Sequence, residues 1–185
     1  MNKEINNWTD RVNKKITELL LSSVDRENHQ IVKYQMSSGG KRIRPIVCLA
    51  SCLATGGEIK DAIYPAAGLE ILHNCTLIYD DIIDNGQIRR NLPTVWKKYG
   101  KSVAECIGLH YAAAIFQGAN RSSASEKVSE RMAIALKKVM DGQLLDMRFE
   151  QSGREQEPFI IKNRYRQVIV KDLSLIHISE PTRPY

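Results

Sequence analysis

The chain has 185 residues, 43% of them hydrophobic and 26% charged, with a formal net charge of +6. That is enough for one globular domain with a substantial core, and no stretch approaches the roughly 18 apolar residues of a membrane span. The basic balance admits nucleic acid, membrane headgroups or phosphorylated small molecules as partners. However, Lys and Arg are spread along the chain instead of forming an arm, which argues against nucleic acid, and residues 1–10 lack the apolar stretch of a signal peptide. A cytoplasmic protein with reduced thiols is the expectation.

Ile5, Trp8, Val12, Ile16, Leu19 and Leu20 keep a three/four spacing, which predicts an amphipathic helix over 4–21. A shorter helix is expected over 27–36, broken by Ser37-Ser38-Gly39-Gly40. Arg44-Pro45 opens a third, with proline in the first turn where its missing N–H costs little. It runs to about Ala54 and ends at Gly56-Gly57. Residues 61–84 are apolar on nearly every side and read as the central buried helix. Pro65 either kinks that helix or marks its first turn, and Asn85-Gly86 ends it. A polar loop then leads to Pro93-Thr94.

Two further helices are expected over 101–118 and 125–150, the second with Val128, Met132, Ala135, Leu136, Val139 and Met140 on one stripe and closed by Gln151-Ser152-Gly153. No strand pair and no internal repeat stands out, although residues 165–170 read as briefly extended. The fold class expected is all-α, a packed helical bundle. Cys48, Cys52, Cys75 and Cys106 all fall in the apolar helical stretches. Cys48 and Cys52 share a helix face, but no nearby His or further Cys completes a metal set, so the four read as buried and inert.

Residues 173–185, LSLIHISEPTRPY, carry no helical stripe, and Pro181 and Pro184 break any continuation. The string resembles the in-frame translation of the transposon-end adapter used to prepare sequencing libraries. It is therefore set aside as a non-native tail, and His177 and Glu180 enter no site. Asp172 is then the last natural residue, placed to cap a helix that follows.

Asp80, Asp81 and Asp84 sit at the C-terminal end of the apolar helix. Asp80 and Asp84 share a face, where two carboxylates repel one another and oppose the helix dipole. A cation between them relieves both effects, and oxygen-only ligands suit Mg²⁺, which takes one or two carboxylates plus substrate phosphates. Asp81 points about a quarter-turn away. By itself the DDxxD pattern reads equally as a solvated acidic helix end. His73, Asp80 and Asp84 fall within roughly 20° of one line along the helix, so the imidazole is expected to face the same cavity. Arg89 and Arg90 follow in the loop, and arginine binds phosphate through paired N–H groups. Their alternative is a surface salt bridge to Asp84.

Gly39-Gly40-Lys41-Arg42-Ile43-Arg44-Pro45 sets glycines, Lys41 and Arg44 at a helix start, an anion site by its free N–H groups and charge. The spacing is not that of a Walker loop. Gln143 and Asp146 share one face of the late helix and by themselves read as solvent-exposed.

Together GGKRIRP, the stretch HNCTLIYDDIID from His73, RRNLPT and DGQLLD resemble the trans-isoprenyl diphosphate synthase family, over residues 30–172. The resemblance implies an isoprenoid synthase helical bundle, present here in part. It implies a Mg²⁺-dependent prenyltransferase that joins isopentenyl diphosphate to an allylic diphosphate, as a homodimer when full length. Lys41, Arg44, His73 and Arg90 would hold the isopentenyl diphosphate. Asp80, Asp81 and Asp84 would serve Mg²⁺, Arg89 would support the departing allylic diphosphate, and Gln143 and Asp146 would line the cavity.

The chain departs from the family's pattern at Asn91, where Gly is usual after Arg-Arg, at Leu109, where Asp often follows Gly, and at Tyr79, where His is common. The family's second aspartate-rich motif lies beyond residue 172, so the chain as written is expected to be inactive. In the family, bulk about five residues before the first Asp limits product length. That position is the small Cys75, next to Thr76, which points to geranylgeranyl or longer products. A class I terpene cyclase would not need the GGKRIRP site, and a regulatory subunit of a heteromeric synthase would tend to lose the Asp and Arg residues that this chain keeps.

Overall fold

The structure, a computed structural model, describes residues 3–151, with side chains to Arg148. The readings of residues 152–153, 165–170, Asp172 and 173–185 lie outside the described residues. The chain divides into two compact units, Met1–Ser129 and Glu130–Tyr185.

Helix α1 (Lys3–Ser23) buries Val12, Ile16, Leu19 and Leu20, the stripe its spacing predicted. A 3-10 turn (Arg26–Asn28) leads into α2 (His29–Ser37), which together cover the expected second helix. Helix α3 (Ile43–Ala54) takes Pro45 in its first turn and stops at Gly56, whose φ of 83° reverses the chain. Its N-cap is Arg42, a non-glycine residue at φ 52°.

Helix α4 (Ile59–Ile83) is the centre of the first unit, and most of its residues from Ala62 to Ile82 are buried. Pro65 lies inside it, so the helix starts before the proline. It packs on α3, α1 and α6 (Lys101–Asn120). Its contact with α6 is close because Gly108 has no side chain. A Cβ there would lie 2.7 Å from the Tyr79 ring, and the Cys75 thiol donates to the Gly108 carbonyl at 3.3 Å.

Where a loop without strands was expected, the chain forms a small antiparallel hairpin, β1 (Ile88–Arg89) and β2 (Leu92–Pro93). The two residues between the strands, Arg90 and Asn91, have φ of 51° and 65°, as a primed hairpin turn requires. The left-handed backbone at 91 explains why Asn replaces Gly there without changing the turn, since Asn is the side chain that best tolerates it. A short helix α5 (Val95–Tyr99), also not anticipated, follows Thr94. Thr94 is buried, its hydroxyl donates to the Gly86 carbonyl at 2.8 Å, and Trp96 Nε1 donates to the same oxygen at 2.8 Å. These bonds tie the base of the hairpin to the end of α4.

The four cysteines are not uniformly buried. Cys75 is, Cys48 and Cys52 are half-buried, and Cys106 is exposed on the face of α6 that also shows Leu109. Helix α7 (Ser125–Gln151) carries Met132 and Ala135 as buried residues along its predicted stripe. Among the described residues no helix is long and apolar enough to cross a membrane.

Candidate functional site

Four arginines converge on one histidine. His73 is half-buried on α4, and its pKa is pushed down to about 4, first by burial and then by the charges of Arg44, Arg90, Arg89 and Arg42. The imidazole is thus neutral at pH 7, in a positive field that the carboxylates paired with Arg42 and Arg89 balance only in part. Arg44, in the first turn of α3, has its Nε buried with no hydrogen-bond partner. A buried guanidinium N–H left unmatched is costly, and a phosphate oxygen satisfies it while neutralising the field. The same helix start also presents the backbone N–H groups of its first turn. Lys41 stands exposed beside it.

The glycine turn brings these groups together. Arg42 is buried, and its Nη1 reaches Glu70 Oε1 on α4 at 2.9 Å. Its Nε donates to Asn13 Oδ1 on α1 at 2.8 Å. The Gly39 carbonyl accepts from Arg42 Nη1 at 3.3 Å and also from Arg90 Nη1, so the hairpin tip is bonded to the turn. A Cβ on Gly40 would run into the Arg42 guanidinium, which explains glycine at that position.

At the far end of α4 the three aspartates separate. Asp84 is the exposed C-cap, its backbone N–H bonded to the Asp80 carbonyl at 2.8 Å, one turn above the half-buried Asp80. Asp81 is buried and turns to the hairpin, where Arg89 Nε donates to Oδ1 at 2.9 Å and Oδ2 at 3.0 Å and Nη2 to Oδ1 at 2.8 Å. Burial raises the Asp81 carboxyl pKa, and Arg89 opposes that rise only in part. A cavity of about 20 Å³ adjoins the pair, lined by Gln35, Asp81, Arg89 and Thr94 among others, with room for a water. Arg89 therefore pairs with Asp81, not with Asp84. Gln143 and Asp146 are half-buried on α7, in the second unit.

Two residues of this arrangement, Arg42 and Glu70, were not singled out in the sequence. The available signal was a lone carboxylate in the middle of an otherwise apolar run, which needs a buried partner.

A sequence profile described as Polyprenyl synthetase matches residues 25–172. The chain belongs to this family. A short chain isoprenyl diphosphate synthase of Methanocaldococcus jannaschii is 34% identical over 151 residues, covering 79% of this chain and 46% of that protein. A geranylgeranyl diphosphate synthase of Methanosarcina mazei is 30% identical over 178 residues, covering 94% of this chain and 53% of the other. The solved geranylgeranyl pyrophosphate synthetase of the archaeon Geoglobus acetivorans superposes with a TM-score of 0.84 at 31% identity, covering 95% of this chain and 57% of that one. This polyprenyl synthetase chain thus spans about half the length of the curated relatives it matches. The all-α class and the isoprenoid synthase fold expected from the motifs are those of the structure and its neighbours.

Proposed function

We propose that a full-length protein carrying this sequence is a Mg²⁺-dependent trans-prenyltransferase that extends an allylic diphosphate with isopentenyl diphosphate. The observation that carries the reading is the basic pocket at His73, in which the buried Arg44 Nε lacks a hydrogen-bond partner. Lys41, Arg44, His73 and Arg90 hold the diphosphate of isopentenyl diphosphate there. Arg89 supports the allylic diphosphate.

Magnesium fits the other end of α4. Asp80 and Asp84 are oxygen donors one helical turn apart, and Asp81, the third carboxylate of the motif, is engaged by Arg89. Among the described residues no three His, Cys, Asp or Glu side chains form a metal group. A pair of carboxylates completed by substrate phosphates and water is the set that Mg²⁺ favours. Bound there, the ion supplies positive charge to the departing diphosphate.

In the reaction the allylic C–O bond breaks with both electrons leaving on the diphosphate, whose charge the arginine side chains stabilise. The double bond of isopentenyl diphosphate attacks the allylic cation, and loss of a proton leaves a product five carbons longer. Apolar residues along α4 keep water from the cation. Cys75 and Thr76 are small, which favours products of geranylgeranyl length or longer. A homodimer and a cytoplasmic location complete the proposal.

The test is an assay of the full-length protein with Mg²⁺, isopentenyl diphosphate and allylic primers of increasing length. A longer prenyl diphosphate is expected, with Asp80→Ala lowering its formation by on the order of 10²–10³-fold. No product from any primer would remove the catalytic assignment and leave a regulatory subunit or a cyclase as the better reading.

A further inference from the structure

The ion pair between Arg42 and Glu70 is the most deeply buried charge contact described, with side chains 5% and 4% exposed. It belongs to a longer buried network. The Glu70 carbonyl accepts from Asn74 Nδ2 at 2.7 Å, Asn74 Oδ1 accepts from Gln35 Nε2 at 3.1 Å, and Gln35 Oε1 accepts from Tyr111 Oη at 3.0 Å. Gln35, Asn74 and Tyr111 are all buried. With the Arg42 bond to Asn13, polar contacts run from α6 through α2 and α4 to the N-cap of α3 and on to α1.

Such a pair is a poor source of stability. Taking two charges out of water costs about as much as their attraction returns, and well-packed apolar replacements are often neutral or stabilising. Arg42 also sits in left-handed backbone, which is strained for a residue with a Cβ. What the pair does accomplish is geometric. It locks the reversal of the chain at residue 42, so that Arg44 enters the first turn of α3 beside His73 and the Gly39 carbonyl is presented to Arg90.

We infer that Arg42, clamped by Glu70 and Asn13 inside the core, is a positioning residue that fixes the glycine turn and through it the diphosphate-binding groups Arg44 and Arg90. This rests on the prenyltransferase reading for the identity of the substrate but on the geometry alone for the positioning. Arg42 touches no substrate. Its side chain points into the fold, so its removal acts on affinity through its neighbours.

The test uses the full-length protein as wild type, as Glu70→Gln, as Glu70→Asp, and as the double variant Arg42→Met/Glu70→Leu, which removes both charges and avoids a stranded one. Thermal unfolding, calorimetric binding of inorganic pyrophosphate without metal, and the two KM values are measured for each. The double variant is expected to unfold at or above the wild-type temperature. Its pyrophosphate Kd and isopentenyl diphosphate KM should rise by about 10- to 100-fold, while the allylic KM stays within about twofold. Glu70→Asp, which keeps the carboxylate, should recover part of the affinity that Glu70→Gln loses.

Wild-type affinity in a stable double variant would overturn the inference, as would a loss that follows only the unfolded fraction and touches both substrates alike. If the wild type transfers no prenyl group yet its pyrophosphate affinity still depends on the pair, the functional reading fails and the positioning role stands.

Discussion

The glycine turn at residues 39–44 and the hairpin at residues 88–93 do the same job by different means. Each departs from ordinary backbone at a non-glycine residue, Arg42 in one and Arg90 with Asn91 in the other, and each brings arginine charge to His73. Their anchors differ. Arg42–Glu70 is sealed in the core, whereas Arg89–Asp81 has side chains 35% and 11% exposed, next to a small cavity. A sealed anchor cannot trade its partner for a ligand, while a partly hydrated one can. Under the proposed function, the turn is then the fixed wall of the pocket, and the hairpin is the wall whose arginine would exchange a carboxylate for a phosphate.

The difference in anchors predicts a ranked set of losses. Glu70→Ala strands the Arg42 guanidinium in the core and should cost about 3–5 kcal/mol in urea unfolding. Asp81→Ala releases a guanidinium that water can reach and should cost about 1 kcal/mol. Equal losses would erase the distinction between the two anchors.

The smallest effect is the pH dependence that His73 contributes, because a half-buried group is partly screened by solvent. The unfolded imidazole takes up a proton below its ordinary value of 6.5, and the folded one only near 4. Between those values the unfolded state binds more protons, so stability should rise from pH 4 to 6.5 and level off above. The measurement is the wild-type unfolding midpoint minus that of His73→Gln, which cancels the opposing contribution of the raised Asp81 carboxyl. Saturating pyrophosphate should shrink the slope by balancing the arginines. A slope unchanged by pyrophosphate would mean that the anion binds elsewhere.

The helices were legible in the sequence because burial imposes period. The stripe of α1 and the all-round apolar α4 each announce which surface faces protein. The hairpin was not legible. Its strands have two residues each, too few to show alternation, and its turn is Arg90-Asn91 where a glycine would have been the signal. Helix α5 is too short for a period at all.

In the site, the spacing of His73, Asp80 and Asp84 could be read along one helix. The pairing of Asp81 with Arg89 could not, because it depends on a turn whose geometry the sequence did not reveal. Arg42 was hidden for a related reason. It stands beside Lys41 and Arg44, two further basic residues of one short motif, and its inward course goes with a left-handed backbone that the sequence does not announce.

The seat of Cys75 on the Gly108 carbonyl has a practical consequence. Burial and the nearby Asp80 push its thiol up to about 12, so in the packed state it is neither reachable nor ionised. Alkylation of Cys75 must then wait for α4 and α6 to part, and its rate counts those openings one molecule at a time. Cys106, exposed on the same α6, labels at once and serves as the internal standard. The chain thus carries its own clock for the breathing of the helix pair on which the pocket is built.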